Sequence, residues 1–177
     1  MVGISGSGKT TVAARLAAGL AVPHLELDGV FHQPGWQPLP LADFRAAVAD
    51  FAAGDGWVID GNYRAVQDLV WARADTVVWL DPPRWRVMGQ LARRTLGRMA
   101  RRTELWNGNR ESWASLLRAD PEKSILLWAW TKHGVTRERY RRAQADPAHA
   151  RLRFVRLATP AQVAEFTRRA GTRPGPG

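Results

Sequence analysis

Apolar and polar positions follow two rhythms along this 177-residue chain. Short apolar runs at Leu25-Glu26-Leu27, Trp57-Val58-Ile59, Thr76-Val77-Val78-Trp79-Leu80 and Leu152-Arg153-Phe154-Val155 have the length and β-branched or aromatic content of buried strands. Between them the apolar residues recur at helical spacing. Val12 and Leu16 mark a helix from Lys9 to Ala18, and Leu41, Phe44, Val48 and Phe51 mark a second one at 3-4-3 spacing. A third begins after Asp81-Pro82-Pro83, with Asp81 expected as its N-cap and proline in its first turn. Longer helical stretches follow over 84–101 and 124–145, and a last one over 160–170. Strands alternating with helices predict an α/β fold, a parallel sheet covered on both faces.

The first turn of that alternation carries chemistry. Gly3-Ile4-Ser5-Gly6-Ser7-Gly8-Lys9-Thr10 fits the phosphate-binding pattern G-x-x-x-x-G-K-[ST] at every position. Glycine at 3, 6 and 8 lets the backbone curl until successive N–H groups face phosphate oxygens. Lys9 is placed to neutralise β- and γ-phosphates, and the Thr10 hydroxyl to bind Mg²⁺. The following helix adds the positive end of its dipole. Gly3, Ser5, Gly6, Ser7, Gly8, Lys9, Thr10 and Thr11 are the expected nucleotide contacts, with ATP and Mg²⁺ as the expected cofactors. Only Met1 and Val2 precede Gly3, where a central strand has about five residues. The expectation is a truncated first strand, with a translation start placed a few codons late.

Composition narrows the remaining classes. Without cysteine there is no disulfide framework, thiolate zinc site or catalytic thiol, and the four histidines lack metal-ligand spacing. No apolar run approaches the roughly 18 residues of a membrane span, and no signal peptide is evident, so a soluble cytoplasmic protein is expected. The net charge of +10 comes from three lysines and 23 arginines. Arginine suits phosphate, although a biased codon composition also supplies it, so position must decide. Residues 1–170 are expected to form one domain, followed by a disordered tail over 171–177.

Leu27-Asp28, the P-loop and Ile59-Asp60-Gly61-Asn62-Tyr63-Arg64 together resemble the adenylate-kinase-like P-loop kinases. A narrower resemblance is to a bacterial group called DNA topology modulation proteins or adenylate-kinase-like ATPases. It rests on Leu27-Asp28…His32…Pro34-Gly35-Trp36, Trp57–Tyr63 and Glu104-Leu105-Trp106-Asn107-Gly108-Asn109-Arg110-Glu111. The resemblance implies a three-layer α/β/α P-loop fold with five parallel strands in the order 2-3-1-4-5. It also implies that Asp60 holds an Mg²⁺-bound water, the competing reading being a turn aspartate before Gly61. Residues of about 93–120 would form an arginine-rich lid.

Asp28 bears on the acceptor. Lying after an apolar strand, it is expected at the same sheet edge as the P-loop, where a carboxylate can take the proton of an acceptor hydroxyl. A turn-forming aspartate before Gly29 is the alternative. His32 and Trp36, in a loop punctuated by Pro and Gly, are candidate walls of an acceptor pocket, and Asn62 and Arg64 join them as candidate substrate contacts. Trp36 can equally be a core plug. Arg94, Arg98, Arg101 and Arg102 share a helix face, at a cost of about 0.2–0.5 kcal/mol per like-charged pair that an anionic partner offsets. Arg94, Arg98 and Arg102 are the expected clamps on the transferring phosphoryl group, against the alternative of a solvated basic face. Arg137, Arg139, Arg141 and Arg142 resemble the arginines that follow a kinase lid.

The expected activity is ATP-dependent phosphoryl transfer to a small-molecule hydroxyl or a nucleotide. The alternatives are a nucleoside monophosphate kinase and a nucleic-acid-associated P-loop ATPase. Nucleic acid is not the favoured partner, because no nucleic-acid-binding module is recognisable.

Overall fold

The computed structural model describes residues 1–100, 106–109 and 125–171. Arg101, Arg102, Glu104 and Glu111, most of the expected lid and the expected disordered tail beyond 171 lie outside the described residues. Strand β1 (Val2–Gly3) leads through the glycine loop into α1 (Lys9–Leu20). Next come β2 (His24–Glu26), the short α2 (Leu27–Phe31) and a hairpin of β3 (His32–Gln33) and β4 (Gln37–Pro38). The chain continues through α3 (Leu41–Ala52), β5 (Val58–Asp60), α4 (Gln67–Arg73), β6 (Thr76–Leu80) and α5 (Arg84–Ala100). It closes with α6 (Ile125–Ala145), β7 (Arg153–Leu157) and α7 (Pro160–Gly171).

Strand β6 shows why the fold has two covered faces. Its alternate residues Val77 and Trp79 pack with Trp71 of α4 and Tyr140 of α6, whereas Val78 and Leu80 pack with Val12 of α1 and Leu157. A strand buried on both sides reads as a continuous apolar run, which is how Thr76–Leu80 reads. The second strand pair rests on α3 through Phe44, Val48 and Ala52, all fully buried. Leu41, expected on that face, is exposed, because the buried stripe follows the i, i+4 row that starts at Phe44.

The parallel architecture agrees with expectation, but the continuous five-stranded ladder does not form. Strands β1, β6 and β7 make one parallel sheet with β6 in the middle, and β2 pairs with β5 in a second. Among the described residues the backbones of the two ladders meet at Met1, where its nitrogen donates to the Ile59 carbonyl and Gly61 N donates to the Met1 carbonyl at 3.2 Å. A β1 of two residues offers too few backbone groups to extend that seam. The Asn62 side chain takes up the deficit: its Oδ1 accepts from Gly3 N at 3.1 Å and its Nδ2 donates to the Gly3 carbonyl.

Asp81 departs from its expected role. Helix α5 starts three residues later, with the Pro83 carbonyl accepting from Arg86 and Val87 N. The Asp81 carboxylate is buried and binds two guanidinium groups instead, Arg137 Nε at 3.0 Å and Arg156 Nε at 2.7 Å. Among the described residues, no helix is long and apolar enough to cross a membrane.

Candidate active site

The glycine loop has the curled geometry its sequence predicts. Gly3, Gly6 and Gly8 have φ of +144°, +81° and +91°, and Ser7 N donates to the Ile4 carbonyl at 3.1 Å. A Cβ at Gly3 would run into the Leu80 carbonyl oxygen of the neighbouring strand. We expect Gly3→Ala to lower stability by at least about 1–3 kcal/mol, from left-handed strain and the displaced β1–β6 ladder. An unchanged urea midpoint would show that the junction is not tight. Gly8 is the N-cap of α1 and supplies no side-chain cap, so the first N–H groups of the helix stay open to an anion.

The groups around Lys9 come from four elements. Its Nζ donates to the Ile4 carbonyl at 3.2 Å. Burial lowers its pKa below the ordinary 10.5; the Asp28, Asp60 and Glu26 carboxylates oppose that shift, and the Arg94 guanidinium adds to it. Parallel pairing sets Glu26 of β2 beside Asp60 of β5. Glu26 also accepts from the Thr10 hydroxyl at 3.0 Å. Arg94 reaches this cluster because α5 lies on the loop one turn earlier, where Leu91 and the Val87 carbonyl crowd Gly6. Arg98 follows on the same helix. Ser5 lies within the loop, and Thr10 and Thr11 are exposed at the start of α1.

Three carboxylates against the Lys9 ammonium and the Arg94 guanidinium leave the cluster net acidic, a poor receiver of a polyphosphate unless a divalent cation intervenes. The donor set fits magnesium: a hydroxyl and carboxylates are the hard oxygen ligands that ion takes. Asp60 is 2% exposed, and its Oδ2 has no hydrogen-bond partner among the described residues; the His24 ring Nε2 lies 3.4 Å away. Thr10 and Asp60 are the residues that would hold the ion, directly or through water. Glu26 belongs with them, and the sequence reading missed it. Its place one residue before the end of an apolar run is the only signal that could have found it.

Asp28 sits in the first turn of α2 and not directly at a strand end, because the second strand stops at Glu26. Its Oδ1 accepts from the Tyr63 hydroxyl at 2.7 Å, and that hydroxyl lies 3.3 Å from His32 Nε2. Burial and the adjacent Asp28 charge push the Tyr63 pKa well up, so the phenol stays a donor. His32 meets Trp36 edge to face at 5.3 Å, and Phe31 and Phe44 pack on Tyr63. Asp28, His32 and Trp36 are thus brought together, with Tyr63 as their unanticipated link.

The short turn Trp106–Gly108 and Asn109 hold this loop from outside. Asn107 Nδ2 donates to the His32 carbonyl at 2.6 Å and the Gly29 carbonyl at 3.3 Å. Asn109 is buried; it donates to the Gln33 carbonyl at 3.0 Å and accepts from Trp36 N at 2.9 Å. The hairpin tip needs such support, because Gly35 and Trp36 both have positive φ, +69° and +60°. Asn109→Ala removes the side-chain partner of two backbone groups and should cost about 1–3 kcal/mol. Faster amide exchange across residues 28–38 is the expected signature, and unchanged exchange would mean the hairpin stands alone.

Other expected contacts are placed elsewhere. The Asn62 amide is committed to Gly3, and its Oδ1 also accepts from Tyr140 Oη at 2.9 Å, so Asn62 braces the P-loop. Arg64 lines a separate groove with Gln67, Trp71, Arg139, His149 and Arg151. Arg137 is paired with Asp81, and Arg141 and Arg142 are exposed and paired with Glu138, so that cluster does not act as one clamp.

No protein-family profile matches the chain, and no curated protein matches it. Among solved structures it is similar to a gluconokinase from Sinorhizobium meliloti 1021, at 22% identity and a TM-score of 0.50, over 96% of this chain and 86% of the other. At that identity the likeness establishes the fold. The two chains share an α/β fold in which helices flank parallel strands.

Proposed function

We propose that the chain is an ATP-dependent phosphotransferase that passes the γ-phosphoryl group to a hydroxyl of a small molecule. The observation that carries the reading is Asp28, oriented by Tyr63 and close enough to influence Lys9. A carboxylate beside the phosphate loop serves an acceptor that must lose a proton, which an anionic phosphate acceptor need not do. The loop over residues 28–38 contains no Arg or Lys, so it offers no partner for a nucleotide phosphate. The solved neighbour, a gluconokinase, is consistent with this class.

In this reading the open N–H groups of the P-loop and Lys9 hold the β- and γ-phosphates. Thr10 and Asp60, with Glu26 behind them, hold magnesium, which supplies charge neutralisation at the phosphates. Asp28 accepts the acceptor's proton while Tyr63 fixes its carboxylate. Trp36 and His32 wall the pocket. Arg94 and Arg98, with Arg102 beyond the described residues, clamp the charge that develops on the phosphoryl oxygens.

The test is ATP consumption by the purified protein with gluconate, other sugars and polyols, nucleosides, aminoglycoside-like alcohols and nucleoside monophosphates. Turnover with a hydroxyl compound supports the reading. Turnover with nucleoside monophosphates alone overturns it in favour of a nucleotide kinase. Sequence-independent DNA binding that survives saturating ATP, without turnover of any small acceptor, points to a nucleic-acid-associated ATPase.

A further inference from the structure

A second concave surface lies between α4 with the turn before it, the segment leading into β7 and the distal part of α6. It encloses about 540 Å³, a volume suited to a small metabolite, and brings Arg64, Arg139 and Arg151 into one lining. Elsewhere in the described structure several arginines meet carboxylates: Arg45 on Asp68, Arg137 and Arg156 on Asp81, Arg141 and Arg142 on Glu138, Arg168 and Arg169 on Glu165. The groove arginines do not. Arg139 donates to the neutral Gln67 Oε1, Arg151 donates to the Trp71 carbonyl, and Arg64 has no hydrogen bond or ion pair among the described residues. The one carboxylate in the lining, Asp68, is held by both Nη atoms of Arg45, at 2.9 and 2.7 Å.

Three uncompensated guanidinium groups therefore share one recess. Two are held in position: Arg139 by Gln67 and by the Tyr140 ring, 5.2 Å from its Cζ, and Arg151 by a backbone carbonyl. Pre-positioned like charges repel one another, and an anion that accepts from several of them removes that cost. His149, set edge to face on Trp71 at 4.8 Å, forms an aromatic wall beside them. A pure cation patch would suit any anion; a recess with an apolar and aromatic side suits a phosphate carried on a small organic body. We propose that this groove is a binding site for a phosphate monoester, distinct from the P-loop, with Arg64, Arg139 and Arg151 as its anion contacts. It also adjoins the loop by a direct route, because Tyr140, next to Arg139, donates to the Asn62 that grips Gly3.

Calorimetric titration tests the site without any turnover, so its outcome is separate from that of the phosphotransferase reading. Ribose 5-phosphate and inorganic phosphate are titrated into wild type saturated with Mg·AMP-PNP, and into Lys9→Ala without nucleotide, which removes the P-loop as a competing phosphate site. One saturable site in both proteins is expected. Arg64→Gln and Arg151→Gln should each weaken it about tenfold, the loss of one charge-assisted contact. Arg64 is exposed and its substitution leaves the fold intact, as an unchanged melting temperature would confirm. Tenfold tighter binding of ribose 5-phosphate supports the assignment to a phosphate monoester, and equal binding of inorganic phosphate overturns it in favour of a free-phosphate site. No saturable binding in either protein, or groove variants that bind as tightly as their parent, overturns the proposal. Binding of duplex DNA that Arg64→Gln abolishes, with no binding of ribose 5-phosphate, overturns it as well.

Discussion

Replacing Lys9 by Ala should depress phosphoryl transfer by about 10²–10³-fold or more, the loss typical of one pre-positioned charge on a transition state. The effect is large because the Arg94 guanidinium alone does not balance the three carboxylates of the cluster. Asp28, Asp60 and Glu26 all bear on the Lys9 ammonium, so without it their negative charge faces the polyphosphate directly. ATP affinity should therefore fall together with kcat, as ATP titration and steady-state kinetics would show. A full rate in Lys9→Ala would remove the kinase reading. The pH dependence has a definite sign. Burial holds the folded-state pKa of Lys9 below 10.5, so the free enzyme loses the ammonium earlier on the alkaline side than an exposed lysine would. The alkaline limb of kcat/KM for ATP should accordingly fall below pH 10.5. Because the unfolded chain binds more protons through that window, the same group makes stability rise with pH there, while activity falls.

How much of this was legible in the sequence depends on how local each feature is. The glycine loop is a contiguous pattern whose backbone conformation is set by its own residues, and φ at Gly3, Gly6 and Gly8 matches it. The β6 strand was legible because burial on both faces leaves a continuous apolar run. Leu27 was read as the end of a strand and instead begins α2; it is apolar and buried in either case, and periodicity cannot separate the two over three residues. The hairpin over His32–Pro38 has too few residues to show alternation. Side-chain partners were the least legible. Asn62 read as a substrate contact because it follows Asp60 at the active edge, but β1 is short, and its amide completes the backbone pairing that the strand lacks. Asp81 before two prolines looked like a cap; only the approach of α6 and β7 brings Arg137 and Arg156 to it. Asn107 and Asn109 were visible as a motif, yet their partners lie more than 70 residues away, a distance no local pattern spans.

Asp28→Asn should lower transfer to a hydroxyl acceptor by about 10²–10⁴-fold while leaving ATP affinity nearly unchanged, since the substitution removes a base and keeps the shape. The Tyr63 hydroxyl, 2.7 Å from Asp28 Oδ1, can still donate to an amide oxygen, so the loop should retain its packing and the loss should fall on kcat. The deficit should shrink as pH rises, because more of the acceptor hydroxyl then ionises without help. Tyr63→Phe provides the complementary result. It leaves the carboxylate in place but frees it to rotate, so the loss should be smaller than in Asp28→Asn and should not shrink with pH, as expected for a positioning residue. A nucleoside monophosphate acceptor predicts a different pattern, since its attacking oxygen carries no proton at neutral pH and Asp28 would only help to seat it. The Asp28→Asn loss would then be modest, would be the same at every pH and would appear in KM. Robust phosphorylation of AMP or CMP by the Asp28→Asn protein would therefore overturn the hydroxyl-acceptor assignment, while leaving the roles of Lys9, Thr10 and Asp60 at the phosphates untouched.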